Sequence, residues 1–456
     1  MANIDLPGRD AFGSRIGVIA AAAGSAVGLG NIWRFPYVLG ENGGGAFLLI
    51  YLAFILGIGF PVMLAELTIG RRAQKNALGS FKKLAPGKKW YLIGLMGIVS
   101  AFLILAFYST IAGWTLEYLV QAFGNSFSGK NSEQLKNSFE TFQSGTFRPI
   151  IWQLIFMFLT GYIVFSGVKK GIEKYTKILM PLLIVLILVI CVRSLTLDGA
   201  RDGLEFLFKP DFSKITWAVV LDALGQAAFS LSIGMGTLIT YGSYISKKEN
   251  LPVTALQVSA ADTLIAILAG VMIFPAVFAY NIDPAEGFGL VFIVLPNIFA
   301  QMAGGHIFSI IFFLLLAIAA LTSTVSVLEV VVAYFSEEFN MSRKKATILG
   351  SVAISFVGLF ATLSFGPLKE AVFLDRTIFG WFNELSANIL LPLGAILIVV
   401  FVGWYLGKDI VRDEITNSGT LKVKLIRVFM LIVKFIAPIA ITFVFLYGLG
   451  LLGNKI

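Results

Sequence analysis

Eleven stretches of apolar sequence, each long enough to cross a lipid bilayer as a helix, leave this chain few ways to fold. They run over residues 14–37, 44–70, 90–122, 149–166, 172–195, 217–241, 255–280, 305–335, 344–364, 371–406 and 428–452, and are called spans 1 to 11 below. A helix needs about 20 apolar residues to cross the hydrocarbon layer. Backbone in lipid must also satisfy its own polar groups, which helices do. The chain is 57% hydrophobic and 13% charged, against about 25% charged in soluble domains. Disorder is excluded, and so much apolar side chain cannot be hidden in one water-soluble core.

An odd number of spans puts the termini on opposite faces. With the N-terminus inside, the inner segments hold 23 Lys and Arg and the outer segments 9. Such a bias marks the cytoplasmic side, so the expected orientation is N-terminus cytoplasmic and C-terminus extracellular, in the cell membrane. The formal charge of +9 thus labels topology, and no nucleic-acid partner need be invoked. A single cysteine, Cys191, excludes an intrachain disulfide framework and a cysteine zinc site. A single histidine, His306, argues against His-rich metal sites and a Ser-His-Asp triad, and so against an enzyme. The first apolar run continues from Ile16 into Arg34 and Pro36, which is not a cleavable signal pattern.

Two spans carry a flaw in the same place. Span 1 contains Gly28-Leu29-Gly30-Asn31 and span 6 contains Gly234-Met235-Gly236-Thr237, each flanked by small polar residues. Glycine weakens a helix by about 1 kcal/mol relative to alanine. One such span could be a small-residue packing face. Two of them, five spans apart, are the signature of an inverted-repeat transporter with discontinuous helices. The expected fold is an all-α membrane protein of eleven transmembrane helices: a 5+5 inverted repeat, helices 1 and 6 discontinuous, plus one peripheral helix. The expected organisation is a cytoplasmic N-terminal segment 1–13, a first repeat 14–195, an extracellular loop 196–216, a second repeat 217–406, a cytoplasmic loop 407–427, and helix 11 with the C-terminus at 428–456.

Unwound backbone at membrane depth is tolerated only where it lines a cavity. A broken helix offers free N–H groups on one side of the gap and free C=O groups on the other. The N–H end suits a carboxylate and the C=O end a cation. Both at mid-membrane suit a zwitterion plus small cations, which fits an amino acid with sodium better than a sugar or a lipid. Asp262 lies within span 7, either as a ligand or near the inner end in water; an intramembrane carboxylate is a functional hypothesis by default. Thr322-Ser323-Thr324-Val325-Ser326 in span 8 either back-bond to their own helix or offer neutral oxygens to a hard cation. Glu66, Glu117 and Glu329 also lie in apolar runs, as proton carriers or as carboxyls satisfying freed amides; the second reading suits Glu66. Arg34, just past the first break, needs a partner.

Gly24-Ser25-Ala26-Val27-Gly28-Leu29-Gly30-Asn31-Ile32-Trp33-Arg34-Phe35-Pro36, followed by Glu41-Asn42-Gly43-Gly44-Gly45-Ala46-Phe47, resembles the neurotransmitter:sodium symporter family, in its bacterial eleven-span amino-acid branch. Further matches are Pro61…Glu66…Gly70-Arg71, Tyr108…Trp114-Thr115-Leu116, Gln226 to Ser232, Thr240 to Tyr244, and Leu321-Thr322-Ser323, so the resemblance covers nearly the whole chain. It implies one sodium held by the Ala26 carbonyl, Asn31, Ser230, Asp262 and the substrate carboxylate. It implies a second held by carbonyls of Gly24, Val27 and Ala319 with the hydroxyls of Thr322 and Ser323. The substrate carboxylate would meet the Leu29 and Gly30 amides and the Tyr108 hydroxyl. Its amine would meet carbonyls near Ala26, Phe229, Ser230 and Ser232.

The implied side-chain pocket is Ile104, Phe229, Ser232, Met235, Ser323 and Val327. Without a charge there, a hydrophobic or aromatic amino acid is the natural cargo, and flexible Met235 suits several shapes. Outer closure would use Tyr108, Phe229 and a bridge from Arg34 to span 10. Inner closure would use Arg9 with Glu337, braced by Ser243 and Tyr244. Gly171 and Pro181 resemble the family's unwinding motif in span 5, though a helix start plus a proline kink reads equally well. Three positions depart from the pattern. The span-10 gate acid is Asn383 with Glu384 beside it, the usual N-terminal Trp is Phe12, and span 7 has Asp262 with Ala266 one turn on. A carboxylate at Asp262 supplies negative charge locally, so no chloride requirement is expected. A channel or receptor would lack the paired breaks; a proton-coupled transporter of the same fold is the close alternative.

Overall fold

The computed structural model describes residues 10–281, 289–421 and 425–452; Arg9, Lys422, Lys424 and Lys455 lie outside them. Among the described residues there are helices and turns but no strands, only one isolated bridge between Phe373 and Arg376. Among the described residues nine helices are long and apolar enough to cross a membrane, and the bent pair Arg15–Ala26 and Gly30–Glu41 makes a tenth pass. The eleventh is span 6, cut into Trp217–Ser230 and Thr237–Gly242. The expected discontinuities in spans 1 and 6 are both present.

Element order repeats between the halves. Span 2 (Gly45–Ala73) is followed by the short helix Ala77–Leu84 and then span 3 (Tyr91–Phe123). Span 7 (Leu251–Ala279) is followed by the short helix Leu290–Gln301 and then span 8 (Gly305–Glu338). Because each half has five passes, the two copies face opposite ways, as inverted repeats must. Span 8 is the most enclosed, with 72% of its apolar window buried, whereas span 11 (Ile426–Gly448) has 28% buried and is peripheral.

Span 10 begins later than its apolar sequence suggests. Residues 371–377 form a tight turn, with Leu374 and Asp375 at φ 47° and 58°. The helix starts only at Ile378, capped by the Thr377 side chain, which accepts from the Gly380 amide. Local turn chemistry overrides hydrophobicity here, and Val372, Phe373 and Leu374 stay exposed. The segment read as a cytoplasmic loop contains the helix Gly407–Ile415. It is tied to span 2 by Arg71, a fully buried guanidinium whose Nε donates to Glu414 at 2.7 Å, and Lys247 reaches the same carboxylate at 2.9 Å.

Candidate functional site

Span 1 begins at Ser14, whose hydroxyl accepts from the Gly17 amide, and its first half ends when the Val27 amide donates to the Ala23 carbonyl at 2.7 Å. The chain then leaves the helix, with the two halves bent by 51°. The freed amides are not left bare. Gly28 N donates to Asn31 Oδ1 at 3.1 Å, and Leu29 N donates to the Tyr108 hydroxyl at 3.0 Å. Glycine at 28 makes room, since a Cβ there would come within 3.0 Å of Ser323 Oγ and 3.2 Å of the Tyr108 oxygen. The chain resumes at Gly30–Arg34 as a wider, π-type turn, a form that concentrates at functional sites.

Span 6 breaks over Leu231 to Gly236. Gly234 and Gly236 have φ of +84° and +78° and Ser232 has +54°; only glycine takes such angles without cost. Gly234 N donates to Glu66 Oε1 at 2.7 Å across from span 2. Glu66 is therefore a carboxyl satisfying a freed backbone amide; its Oε2 is buried with no hydrogen-bond partner in the structure.

Two oxygen clusters flank the breaks. In the first, Asn31 Nδ2 donates to Asp262 Oδ1 at 2.7 Å and to Ser230 Oγ at 3.2 Å, while Ser230 Oγ donates to Asp262 Oδ2 at 2.8 Å. All three are buried to 2% exposure or less, which removes the alternative of Asp262 in water near the inner end. In the second, Thr322 Oγ1 lies 3.0 Å from the Ala319 carbonyl and 3.5 Å from the Val27 carbonyl. Gly24 faces the same point, because a Cβ on it would sit 3.4 Å from Thr322 Cβ and 3.5 Å from Thr176 and Met180 of span 5. Among the described residues no group of three or more His, Cys, Asp or Glu side chains converges. Hydroxyls, carbonyls, an amide and one carboxylate suit a small hard cation rather than a transition metal.

Between the clusters lies a small cavity. It is lined by Ala26, Gly30, Ile104, Tyr108, Phe229, Ser230, Ser232, Met235, Ser323 and Val327, together with Gly28, Leu105 and Phe107, and no charged side chain is among them. Every expected pocket residue is there except Leu29, which presents only its amide to Tyr108. Ser230 belongs to both the cavity wall and the Asp262 cluster, and Ser323 adjoins Thr322 of the other cluster.

The closures differ in part from expectation. Phe229 lines the cavity at the end where the Arg34 guanidinium lies 4.4 Å over its ring and donates to Gln226 Oε1 at 2.9 Å. Glu384 pairs instead with Arg376 and accepts from Asn388 at 2.7 Å. In this conformation Arg34 of span 1 is held against span 6, and the expected bridge to Asn383 or Glu384 is not formed. Of the expected pair of Arg9 with Glu337, Arg9 is outside the described residues. Glu337 accepts from the Asn76 backbone and side-chain nitrogens at 2.9 and 3.1 Å.

The contacts around Tyr244 and the N-terminal segment carry partners that sequence alone did not supply. The Tyr244 hydroxyl donates to Glu329 at 2.6 Å, and Arg343 makes a forked pair with the same carboxylate at 2.9 and 2.5 Å, with Asp10 3.7 Å from its guanidinium. Phe12 packs edge-on to Tyr241 and Tyr244. Glu173 at the start of span 5 accepts from Gly13 N at 2.6 Å and from the Ser14 hydroxyl at 2.8 Å, fastening the N-terminal segment to span 5. Tyr51 donates to Ser230 at 3.4 Å. Glu117 binds Arg148, Trp152 and Gln121 and so has a structural place away from the cavity. The span-pairing of these acids could not be read from spacing, because their partners lie on helices distant in the chain.

Comparison with known proteins points the same way. The profile of the sodium:neurotransmitter symporter family matches residues 9–146 and 130–452. The crystal structure of MhsT in complex with L-phenylalanine superposes with a TM-score of 0.89 at 51% identity, covering 97% of this chain and 100% of that one. The sodium-dependent transporter YhdH of Bacillus subtilis (strain 168) is 40% identical over 441 residues, 97% of this chain and 98% of its own length. The sodium-dependent serotonin transporter of Drosophila melanogaster is 30% identical over 458 residues, 88% of this chain and 70% of its own length.

Proposed function

Since the chain belongs to the sodium:neurotransmitter symporter family, a family of membrane transporters and not of enzymes, we propose that it imports hydrophobic and aromatic L-amino acids coupled to two sodium ions by alternating access. The observation that carries this reading is the cavity: uncharged, largely apolar, and set between two freed helix ends. An α-carboxylate and α-amine need those polar ends; a side chain such as that of leucine or phenylalanine needs the apolar wall. The likeness to a structure holding L-phenylalanine supports it.

The mechanism follows from which bonds must be exchanged. Leu29 N and the Tyr108 hydroxyl now satisfy each other, so an arriving carboxylate takes both as donors, with the Gly30 amide beside them. The amine faces carbonyls near Ala26, Phe229, Ser230 and Ser232. The first sodium is assigned to the Ala26 carbonyl, Asn31, Ser230, Asp262 and the substrate carboxylate, and the second to Gly24, Val27, Ala319, Thr322 and Ser323. Because cargo and ion share Ser230 and the carboxylate, each raises the affinity of the other by the same factor. A membrane potential negative inside adds about 2.3 kcal/mol per charge per 100 mV to the inward step. The orientation, N-terminus inside, rests on the Lys and Arg bias. Release requires parting Glu173 from Gly13 and Ser14 where span 5 adjoins Gly24, and the neighbouring Gly171 and Pro181 give that segment a weak point.

In proteoliposomes, uptake of labelled L-phenylalanine should fall to background when external sodium is replaced by choline; uptake that survives the swap assigns coupling to protons. Unlabelled Leu, Ile, Met, Tyr and Trp should compete, and Asp, Glu, Lys and Arg should not. Replacing chloride by gluconate should leave uptake unchanged, because Asp262 already supplies the buried negative charge. A large drop on that swap would sink the chloride-independent reading.

A further inference from the structure

Spans 4 (Phe147–Phe165) and 9 (Arg343–Leu363) leave a groove between them whose mouth is basic and lacks counter-charge. Its walls are Met157, Phe158 and Phe165 from span 4 and Ile348, Val352 and Phe356 from span 9, and it encloses about 600 Å³. That is within the range of sites that hold small molecules. The floor is made of small residues: a Cβ on Gly161 would come 2.9 Å from Ser351 Oγ. The helices close there and the larger side chains stand up on either side. The Ser351 hydroxyl is buried at the floor with no hydrogen-bond partner in the structure.

The groove starts at Phe165 and Thr347, on the face that carries most of the Lys and Arg, and ends near Leu154 and Leu359. Phe165 and Leu154 are eleven residues apart, about 16 Å of helix. Half the hydrocarbon thickness is about 15 Å, so the groove has the depth of one leaflet. At its mouth the Lys344 ammonium lies 5.4 Å over the Phe165 ring. Lys345 follows it, and Lys169 and Lys170 come just after span 4; all four are exposed. None of them forms an ion pair with a described acid, because Glu173 is taken by Lys177 at 2.6 Å and Glu329 by Arg343 at 2.5 Å.

We propose that this groove holds one acyl chain of an anionic phospholipid of the inner leaflet, with its phosphate held by Lys344, Lys345, Lys169 and Lys170. An apolar channel of leaflet depth selects a lipid chain, and the unneutralised lysines select a negative headgroup. A second copy of this protein fits worse, since two-fold pairing through this face would bring the same lysines together. The mouth adjoins Arg343, which donates to the Val164 carbonyl at 3.1 Å and grips Glu329 of the inner closure, so the lipid touches the segment that seals the inner side.

The test equilibrates the purified full chain with equal amounts of palmitoyl-oleoyl phosphatidylglycerol and phosphatidylcholine in mixed micelles. Lipid retained after a detergent wash is then weighed by native mass spectrometry. Wild type should retain one phosphatidylglycerol per chain with at least about tenfold preference. The quadruple variant Lys169→Gln, Lys170→Gln, Lys344→Gln, Lys345→Gln should lose that preference. Val352→Trp, on an exposed wall position, should reduce retention of both lipids without any change of charge. Equal retention of the two lipids by wild type, or a preference that survives the quadruple variant, overturns the proposal. So does a dimer that Val352→Trp breaks apart.

Discussion

Replacing both Thr322 and Ser323 by alanine is expected to abolish sodium-dependent uptake. Thr322 Oγ1 now leans on the Ala319 and Val27 carbonyls, a stand-in for the hard cation that those oxygens would surround. A hydroxyl bonded to a charged group contributes about 1.5–3 kcal/mol, so losing two costs a sodium ion on the order of a hundredfold or more in affinity. The fold should survive, because the Thr322 hydroxyl bonds back to the Ile318 and Ala319 carbonyls of its own helix and alanine is the best helix former. A thermal melt close to wild type, with uptake flat across a sodium titration, is the expected pair of results. Uptake that keeps its sodium dependence refutes the second-site assignment.

The other large effect belongs to Asp262→Asn. The side chain keeps its shape, but the only carboxylate in the first cluster is gone. One charge at roughly 4 Å contributes about 4 kcal/mol at an effective dielectric of 20, so sodium affinity should fall by about a hundredfold or more. Unlike the Thr322 and Ser323 pair, this variant should also change anion dependence, since nothing else described in the cluster carries the balancing charge. Uptake would then be partly restored by chloride and not by gluconate. The readout is uptake against sodium concentration in each anion. Unchanged sodium affinity would remove Asp262 from the site.

Much of this was legible in the chain, and the reason is physical. Lipid forces long apolar runs, so ten of eleven passes could be placed within a few residues. Helix breaks in lipid need glycine, so Gly28, Gly30, Gly234 and Gly236 announced the cavity. Part of its lining sits on those breaks or one turn from them, and the rest comes from the unbroken spans 3 and 8, through Ile104, Leu105, Phe107, Tyr108, Ser323 and Val327. What could not be read were the partners of charged groups. Arg34 chooses Gln226 on span 6 and Phe229 beneath it, while Glu384 is taken by Arg376, eight residues earlier in the turn before span 10. Arg343 reaches Glu329, and Glu173 reaches Ser14. These choices depend on helix rotation and on which neighbour arrives first, and spacing along one chain does not encode them. The late start of span 10 was missed for a similar reason, since two left-handed residues outweigh an apolar run.

The bond from Glu66 to Gly234 sets what can move with what. A hinge in span 6 whose freed amide is gripped by span 2 cannot swing without dragging span 2, and Arg71 near the end of span 2 grips Glu414 in turn. The break, the neighbouring helix and the helix Gly407–Ile415 are links of one lever. A displacement at the break is thereby delivered to the helix Gly407–Ile415 through five residues of span 2, about 7.5 Å of helix, and a spectroscopic label on that helix would register the turning of the cavity without touching it.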